Sequence, residues 1–86
     1  MNYEGGDPQD TGQREGRYAN YFEVGHNDIE FVLDFGQFFS DSEKVLHTRI
    51  ITSPIYAKAL LELLRDSLDR YERSFGVIPK EHKEKT

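Results

Sequence analysis

Four side chains within residues 26–34 are of the types that bind divalent cations: His26, Asp28, Glu30 and Asp34. Hard cations collect carboxylate oxygens, and transition metals prefer imidazole nitrogens. The apolar alternation of the surrounding residues places Glu30 and Asp34 on one face of a strand, whereas the other two groups fall in a turn. We therefore favour pairing of Glu30 or Asp34 with Arg49 or His47 on a neighbouring strand, and no metal site is predicted.

The tripeptide Asp34-Phe35-Gly36 copies the magnesium-binding tripeptide of protein kinases. Kinases hold that magnesium with the help of a glycine-rich phosphate loop, a strand lysine and a catalytic loop, and these motifs do not accompany the tripeptide here. The tripeptide is better explained by strand geometry. In that interpretation Asp34 faces solvent, Phe35 enters the core, and Gly36 ends or bulges the strand.

His47 is the remaining candidate for acid-base chemistry, because the other two histidines lie in a turn and in a tail. A catalytic histidine needs a nucleophile beside it. The sequence contains no cysteine, and no serine near His47 lies in a recognisable nucleophile motif. We interpret His47 as a partly exposed strand residue. The sequence predicts no catalytic residue and no cofactor site, and we do not expect an enzyme.

The net charge of the chain limits the classes of partner that it can bind. The net charge is −5 and the isoelectric point is near 5.1. A nucleic-acid partner is disfavoured, because phosphate binding draws its affinity from clustered Lys and Arg. No apolar run approaches the roughly 20 residues that span a bilayer, and the amino terminus lacks the pattern of a secretory signal. We expect a cytoplasmic protein without a membrane segment.

Polarity divides the chain into one domain and two tails. Residues 1–17 form a polar, glycine-rich tail, residues 18–79 the predicted domain, and residues 80–86 a charged tail. A domain of about 60 residues has a core that is only marginally stabilising. Without cysteine, neither a disulfide nor a cysteine-based metal site can supplement that core. Oligomerisation is the remaining remedy.

Three apolar-alternating runs precede a long helix and predict a three-stranded antiparallel sheet. The first covers residues 19–24 and is followed by turn chemistry at residues 25–28. The third covers residues 45–52, and either of its faces could be the inner one. The second directs these residues to one side: Ile29, Phe31, Leu33 and Phe35. The predicted fold is α+β of order β-β-β-α, with a hairpin and a third strand packed by one C-terminal helix.

The helix is bounded by recognisable signals at both ends. Ser53 can cap its first turn, Pro54 suits the first helical position, and Gly76 followed by Pro79 ends it. Apolar residues recur at intervals of three and four positions and form what we call the helix stripe: Ala57, Leu61, Leu64, Leu68, Tyr71 and Phe75. We expect the helix stripe to cover the sheet.

A second group of side chains, the helix flank, borders the stripe: Tyr56, Leu60, Leu63, Ser67 and Ser74. A helix on a three-stranded sheet needs only one apolar stripe, so additional apolar surface favours a partner. Burying a large apolar side chain contributes roughly 1.5 to 3 kcal/mol. The predicted interface of a homodimer therefore consists of Tyr56, Leu60, Leu63 and Ser67.

The connection between the second and third strands, residues 36–44, is predicted to be a loop. Its adjacent Phe38 and Phe39 cannot both point inward from an extended backbone, so one of them is expected to be exposed. They either close the end of the core, join the dimer interface, or anchor another protein. The open edges of the sheet could likewise accept a strand from a second copy or from a client protein.

Several blocks of sequence, in a fixed order, resemble a known family. They are Tyr18-Ala19-Asn20, Glu30-Phe31-Val32-Leu33-Asp34-Phe35-Gly36, Ser53-Pro54 with Ala57-Lys58 and Leu60-Leu61, and Tyr71-Glu72 with Phe75-Gly76-Val77-Ile78. The resemblance covers residues 17–79 and is to small bacterial and archaeal proteins catalogued as a domain of unknown function. It implies a compact unit of hairpin, strand and helix, and it carries no activity, cofactor or site residue to this chain.

From these observations we expect a non-enzymatic, homodimeric protein-interaction or adaptor domain with an unidentified protein client. The alternatives are a module that binds a ligand or a nucleic acid on the outer sheet face, and a structural subunit of a larger assembly. A nucleic-acid surface would use Tyr18 and Tyr21 for stacking and Lys44 and Arg49 for charge, and two cations are few against an acidic background.

Overall fold

The computed structural model describes residues 14–80. It contains strands β1 (Tyr21–His26), β2 (Phe31–Ser40) and β3 (Glu43–Thr52), followed by helix α1 (Pro54–Phe75). The strands are antiparallel and form one sheet in the order β1-β2-β3. The predicted α+β fold of order β-β-β-α is thereby confirmed. The C-terminal tail beyond residue 80, and the N-terminal tail before residue 14, lie outside the described residues.

Two compact units make up the described chain. The first comprises residues 14–24 and 33–50, and it holds most of the β2–β3 hairpin together with the part of β1 that precedes Gly25. The second comprises residues 25–32 and 51–80, and it holds the β1–β2 turn and α1.

The β1–β2 turn is built around Asn27. Its backbone N–H donates to the carbonyl of Glu30 (3.0 Å), and its Oδ1 accepts the N–H groups of Ile29 and Glu30 (2.8 Å each). Asparagine side chains readily bond the backbone two residues further on, which is why this residue type closes turns. The prediction of the turn at residues 25–28 is wrong by two residues. Strand β1 continues to His26, and Ile29 is held in the turn instead of opening β2.

The connection between β2 and β3 is a tight hairpin, so the loop predicted over residues 36–44 is wrong. Strand β2 runs to Ser40 and β3 begins at Glu43, which leaves a turn of two residues. Aromatic side chains favour extended backbone, and Phe38 and Phe39 therefore continue the strand rather than interrupt it. The consequence is a longer hairpin than the alternation pattern indicates.

Gly36 lies inside β2 and is buried, so the prediction that it ends the strand is wrong. A Cβ at this position would overlap the carbonyl oxygen of Val45 and would lie 2.8 Å from the Cα of Leu46. Both obstacles are backbone atoms of β3, which cannot rotate away as a side chain can. Glycine is therefore required here by the close approach of two strands.

The pairing of β1 with β2 shifts by one residue next to Gly36. Phe22 contacts Phe35 edge to face, with ring centroids 5.8 Å apart. Regular antiparallel pairing from this contact would place Asn20 opposite Gln37, but the Asn20 N–H donates to the carbonyl of Gly36 (2.9 Å). Such a one-residue shift is typical of a β-bulge whose extra residue lies on the β1 side, so the interpretation that Gly36 bulges β2 stays a prediction.

Two contacts assign the faces of the sheet. The ring contact places Phe22 and Phe35 on one face, and an ion pair between Asp34 and Arg49 lies on the other. Because side chains alternate, Ile50 shares the face of Phe35, which resolves the choice of inner face for β3. We call the resulting set the apolar sheet face: Phe22, Val24, Leu33, Phe35 and Ile50. Leu33 and Phe35 are half-buried, and the other three are exposed.

Both ends of α1 follow the predicted signals. The Oγ of Ser53 accepts the N–H of Tyr56 (3.3 Å), and Pro54 occupies the first helical position. Gly76, with φ 102°, follows the last turn and donates its N–H to the carbonyl of Glu72 (3.0 Å). That positive φ suits glycine because it has no Cβ. The predicted helix boundaries are confirmed.

The large side chains of the helix stripe are exposed. Its large side chains range from 44% exposed at Leu68 to 75% at Phe75. No residue of α1 is buried, and no apolar side chain among residues 14–80 is buried. Within the same residues, no helix is both long and apolar enough to cross a membrane. A single chain thus leaves in water the side chains that normally supply hydrophobic stabilisation.

Candidate functional site

Asp34 is the most shielded charged residue of the described chain, with 8% of its surface exposed. Arg49 of β3 binds both of its carboxylate oxygens, Nε to Oδ1 at 2.8 Å and Nη2 to Oδ2 at 2.9 Å. This bidentate pairing confirms the predicted cross-strand partner, whereas the prediction that Asp34 faces solvent is wrong. Hydrogen bonds from Arg49 hold the pKa of Asp34 below its ordinary value, against the raising effect of burial.

The ion pair limits what Asp34 can do chemically. A carboxylate whose two oxygens both accept hydrogen bonds from a guanidinium is kept ionised and is a poor proton acceptor. The same hydrogen bonds raise the pKa of Arg49, so the pair carries no net charge at neutral pH. The geometry therefore favours a structural role for Asp34 and Arg49, fastening β2 to β3 across one face of the sheet.

His47 fastens the segment that precedes β1. Its Nε2 lies 3.0 Å from the carbonyl oxygen of Tyr18, which can only accept, so Nε2 carries the hydrogen. Its Nδ1 lies 2.7 Å from the Oγ1 of Thr48, and its own carbonyl accepts Nη1 of Arg17 (3.4 Å). His47 is half-buried, as predicted from its strand position. Both ring nitrogens are engaged in holding structure.

Asn20 joins the segment before β1 to β2 through two hydrogen bonds, a role that was not predicted from the sequence. Its N–H donates to the carbonyl of Gly36, and its Oδ1 accepts the N–H of Phe38 (2.8 Å). The Oδ1 of Asn20 thus takes the place of a backbone carbonyl and satisfies the N–H of Phe38, which the register shift would otherwise leave without an acceptor on β1. The available signal was an asparagine directly before a strand, a residue type that bonds to backbone groups in place of a ladder partner.

Two open depressions lie beside these residues. The larger, of about 370 Å³, is lined by Asp34, Leu46, His47, Thr48 and Arg49. The smaller, of about 270 Å³, is lined by Glu15, Arg17, Ala19, Phe35, His47 and Thr48. Each contains a single carboxylate, and the one in the larger depression is already bound by Arg49. Acid-base catalysis by two carboxylates of different pKa would need a second one at the same place.

The residues considered as metal ligands do not converge. Within residues 14–80, no group of three His, Asp or Glu side chains could hold an ion. The ring of His26 stacks on Phe31 with centroids 5.1 Å apart, and Asp34 is engaged by Arg49. Stacking and ion pairing therefore account for the two candidate ligands whose contacts are the most specific.

The two cations considered for nucleic-acid binding are both engaged within the first unit. The Nζ of Lys44 lies over the ring of Tyr21, 5.5 Å from its centroid, and Arg49 binds Asp34. The hydroxyl of Tyr21 donates to Glu23, a hydrogen bond that raises the pKa of Tyr21. A carboxylate beside the stacking ring would repel phosphate, so these contacts do not favour a nucleic-acid surface.

Phe38 and Phe39 are both exposed, by 40% and 62%. The sequence predicts exposure of one member of the pair, because neighbouring side chains on a strand point to opposite faces. Because side chains alternate along a strand, the two rings lie on opposite sides of β2, near the hairpin turn. Neither ring is covered within the described residues. Exposed aromatic residues of this kind are frequent anchors in protein interfaces.

The predicted dimer interface on the helix flank is accessible. Tyr56 and Leu63 are each 68% exposed and Leu60 is 46% exposed. Ser67, the fourth predicted interface residue, is also exposed. Charged residues border the flank: Arg70, three positions after Ser67, forms an ion pair with Asp66 one turn before it (2.6 Å). The flank is thus an apolar strip whose C-terminal half has charged neighbours.

Comparison with known proteins identifies a family of unknown function. Over residues 7–80 the sequence matches the family described as Protein of unknown function (DUF3467). The chain belongs to this family, which confirms the resemblance to a domain of unknown function. No curated protein and no solved structure shows significant similarity to the chain.

Proposed function

We propose that this member of a family of unknown function is a homodimeric protein-interaction domain that acts without catalysis. The observation that carries the proposal is the exposure of three apolar surfaces in one chain: the helix flank, the helix stripe and the apolar sheet face. Contiguous exposed apolar surface marks protein-protein contacts in soluble proteins. Asp34 is held by Arg49, and both ring nitrogens of His47 lie within hydrogen-bonding distance of Thr48 and Tyr18. Because these polar groups are engaged in holding the fold, a binding role is favoured over a catalytic one.

The helix flank is the proposed contact between the two protomers. In a two-fold dimer the same flank meets itself, so Tyr56, Leu60 and Leu63 would each count twice. Full burial of a side chain of this size contributes roughly 1.5 to 3 kcal/mol. A domain of this length has a total stability of only about 5 to 10 kcal/mol, so this contact would supply a large share of it.

Phe38 and Phe39 are the proposed contact with a client protein. They lie at the end of β2 beside a two-residue turn, where a partner can reach both rings. A homodimer would present two such hairpins, and a client with two binding segments would gain avidity from the second. The adaptor role expected from the sequence is in this view a consequence of dimerisation.

Analytical ultracentrifugation at micromolar concentration tests the dimer. We expect the wild type to sediment as a dimer and the double variant Leu60→Glu/Leu63→Glu to sediment as a monomer or to unfold. The matched control is Lys58→Gln/Arg65→Gln, which changes the net charge by the same amount on the charged side of α1. This control should remain dimeric. A wild type that sediments as a monomer would refute the proposal.

The client contact is tested by comparative affinity capture from the native host. Wild-type protein and the variant Phe38→Ser/Phe39→Ser serve as baits, and Ser40→Ala is the control at the same hairpin. We expect one or more proteins to be retained by the wild type and the control and lost from the phenylalanine variant, whose dimer mass should be unchanged. Equal retention by all three baits would remove these residues from the binding surface.

A further inference from the structure

We infer that the dimer is domain-swapped, so that the helix stripe of each protomer covers the apolar sheet face of its partner. This inference rests on the proposed homodimer and names which surfaces meet in it. The helix flank is then the contact between the two helices, and the helix stripe is the contact between each helix and the sheet of the other protomer.

The first argument is the complementarity of two exposed surfaces. The helix stripe has the width and spacing of a helix that rests on a sheet, and the apolar sheet face is the surface that such a helix covers. Yet Leu61 and Leu64 on the stripe are 50% and 54% exposed, and Phe22 and Val24 on the sheet are 57% and 63% exposed. In a dimer, the sheet of the second copy can cover the helix stripe, and the helix of the second copy can cover the apolar sheet face.

The second argument is the area that such an exchange would bury. The exposed large residues of the two surfaces are Phe22, Val24, Ile50, Leu61, Leu64, Leu68, Tyr71 and Phe75. At about 25 cal/mol per Å², the 1.5 to 3 kcal/mol for burying one such side chain corresponds to roughly 60 to 120 Å². The eight residues are 44–75% exposed, so about half of that area remains to be buried, roughly 270 to 530 Å² per protomer. A stable interface buries about 800 Å² per partner, so the exchanged surfaces supply a large part of it and the helix flank adds to it.

The third argument is the length of the connection between sheet and helix. Strand β3 ends at Thr52 and α1 begins at Pro54, so Ser53 alone connects them. Ser53 is extended, with φ −92° and ψ 163°, and the φ of Pro54 is fixed by its ring. Connections between a strand and a helix that lies back on the same sheet usually take two to six residues. A one-residue connection favours exchange of the helix with a second copy, as short hinge segments do in other swapped proteins.

Cysteine crosslinking tests the exchange directly. The chain contains no cysteine, so every thiol in a variant is an introduced one. The variant Ile50→Cys/Leu64→Cys places one thiol on the apolar sheet face and one on the helix stripe, and a short bismaleimide reagent joins thiols that are close. We expect covalent dimers on a denaturing gel. The single variants Ile50→Cys and Leu64→Cys should give few of them, because in the swapped dimer each thiol faces the other type. In Ile50→Cys/Arg65→Cys, where the helix thiol lies outside the stripe, crosslinking should fall severalfold.

Three outcomes are possible, and each decides the inference. Covalent dimers specific to the Ile50/Leu64 pair support it, and repeating the pair with Leu68→Cys in place of Leu64→Cys guards against a folding defect of one variant. Crosslinks within one chain, or crosslinking no greater than in the Arg65 control while sedimentation still gives a dimer, overturn the exchange and leave the homodimer standing. A monomer in sedimentation overturns both.

Discussion

At the scale of single residues, the tripeptide Asp34-Phe35-Gly36 has three separate structural reasons for its composition. Asp34 binds Arg49 across the hairpin, Phe35 contacts Phe22, and Gly36 admits the backbone of β3. The pairing of Asp34 was predictable, because opposite charges on neighbouring strands attract. Its burial was not, because the depth of a strand residue depends on segments distant in sequence. The same limit hid the role of Asn20, whose partners lie 16 and 18 positions further along the chain.

Replacing Gly36 with alanine should destabilise the protein, because the added Cβ would overlap backbone atoms that cannot rotate away. Overpacking of this kind costs about 1 to 3 kcal/mol, measurable as a lower midpoint in urea unfolding. The matched control is Gly25→Ala, since a Cβ at Gly25 has nothing within 4 Å. Equal midpoints for the two variants would show that β3 does not approach Gly36 as described.

The ion pair of Asp34 predicts a loss of stability in acid. Its pKa is lowered in the folded state by hydrogen bonds from Arg49, so the folded protein binds this proton less readily than the unfolded chain. The pair therefore contributes fully above the unfolded pKa, about pH 4, and the contribution is lost as the pH falls through the lower folded value. Unfolding free energy measured against pH should fall less steeply below about pH 4 in Asp34→Asn than in the wild type. Parallel curves would count against a pair that forms in solution.

At the scale of elements, the helix was predictable and the turns were not. Ser53, Pro54 and Gly76 act locally, so their residue types alone place both ends of α1. The start of β2 was misplaced because the side chain of Asn27 takes two N–H groups that would otherwise join the ladder. The length of the β2–β3 hairpin was underestimated because strand pairing is a non-local contact, which alternation of apolar residues does not record.

The N-cap of α1 gives a prediction at this scale. Ser53→Ala removes the Oγ that accepts the N–H of Tyr56, which should cost about 1 kcal/mol and lower the melting temperature. The control is Glu62→Ala on the charged side of α1, because alanine has the higher helix propensity in the interior of a helix and removes no capping bond there. Circular dichroism melting of both variants measures the difference. A Ser53→Ala protein as stable as Glu62→Ala would mean that the cap is unimportant.

At the scale of the whole molecule, the sequence predicts more apolar surface on α1 than a three-stranded sheet needs. The helix flank was expected to be exposed and the helix stripe to be buried, but the large side chains of both are exposed. Amphipathic spacing predicts that a surface is covered and does not say by which chain. This ambiguity is general for small domains, whose single core supplies only a few kcal/mol.

If folding and dimerisation are coupled, the melting temperature must depend on protein concentration. Most large apolar side chains of residues 14–80 are exposed in one protomer. The folded dimer is then in equilibrium with unfolded chains, and its population follows mass action. Raising the concentration about a hundredfold stabilises the dimer by roughly 2.7 kcal/mol, which for a dimer of this size corresponds to a shift of about 5 to 10 °C. Scanning calorimetry at both ends of that range measures the shift, with Lys58→Gln/Arg65→Gln as a control that should behave like the wild type. A melting temperature independent of concentration would mean that one chain folds alone, and the exposed helix stripe would then have to be stabilised by something other than a second copy.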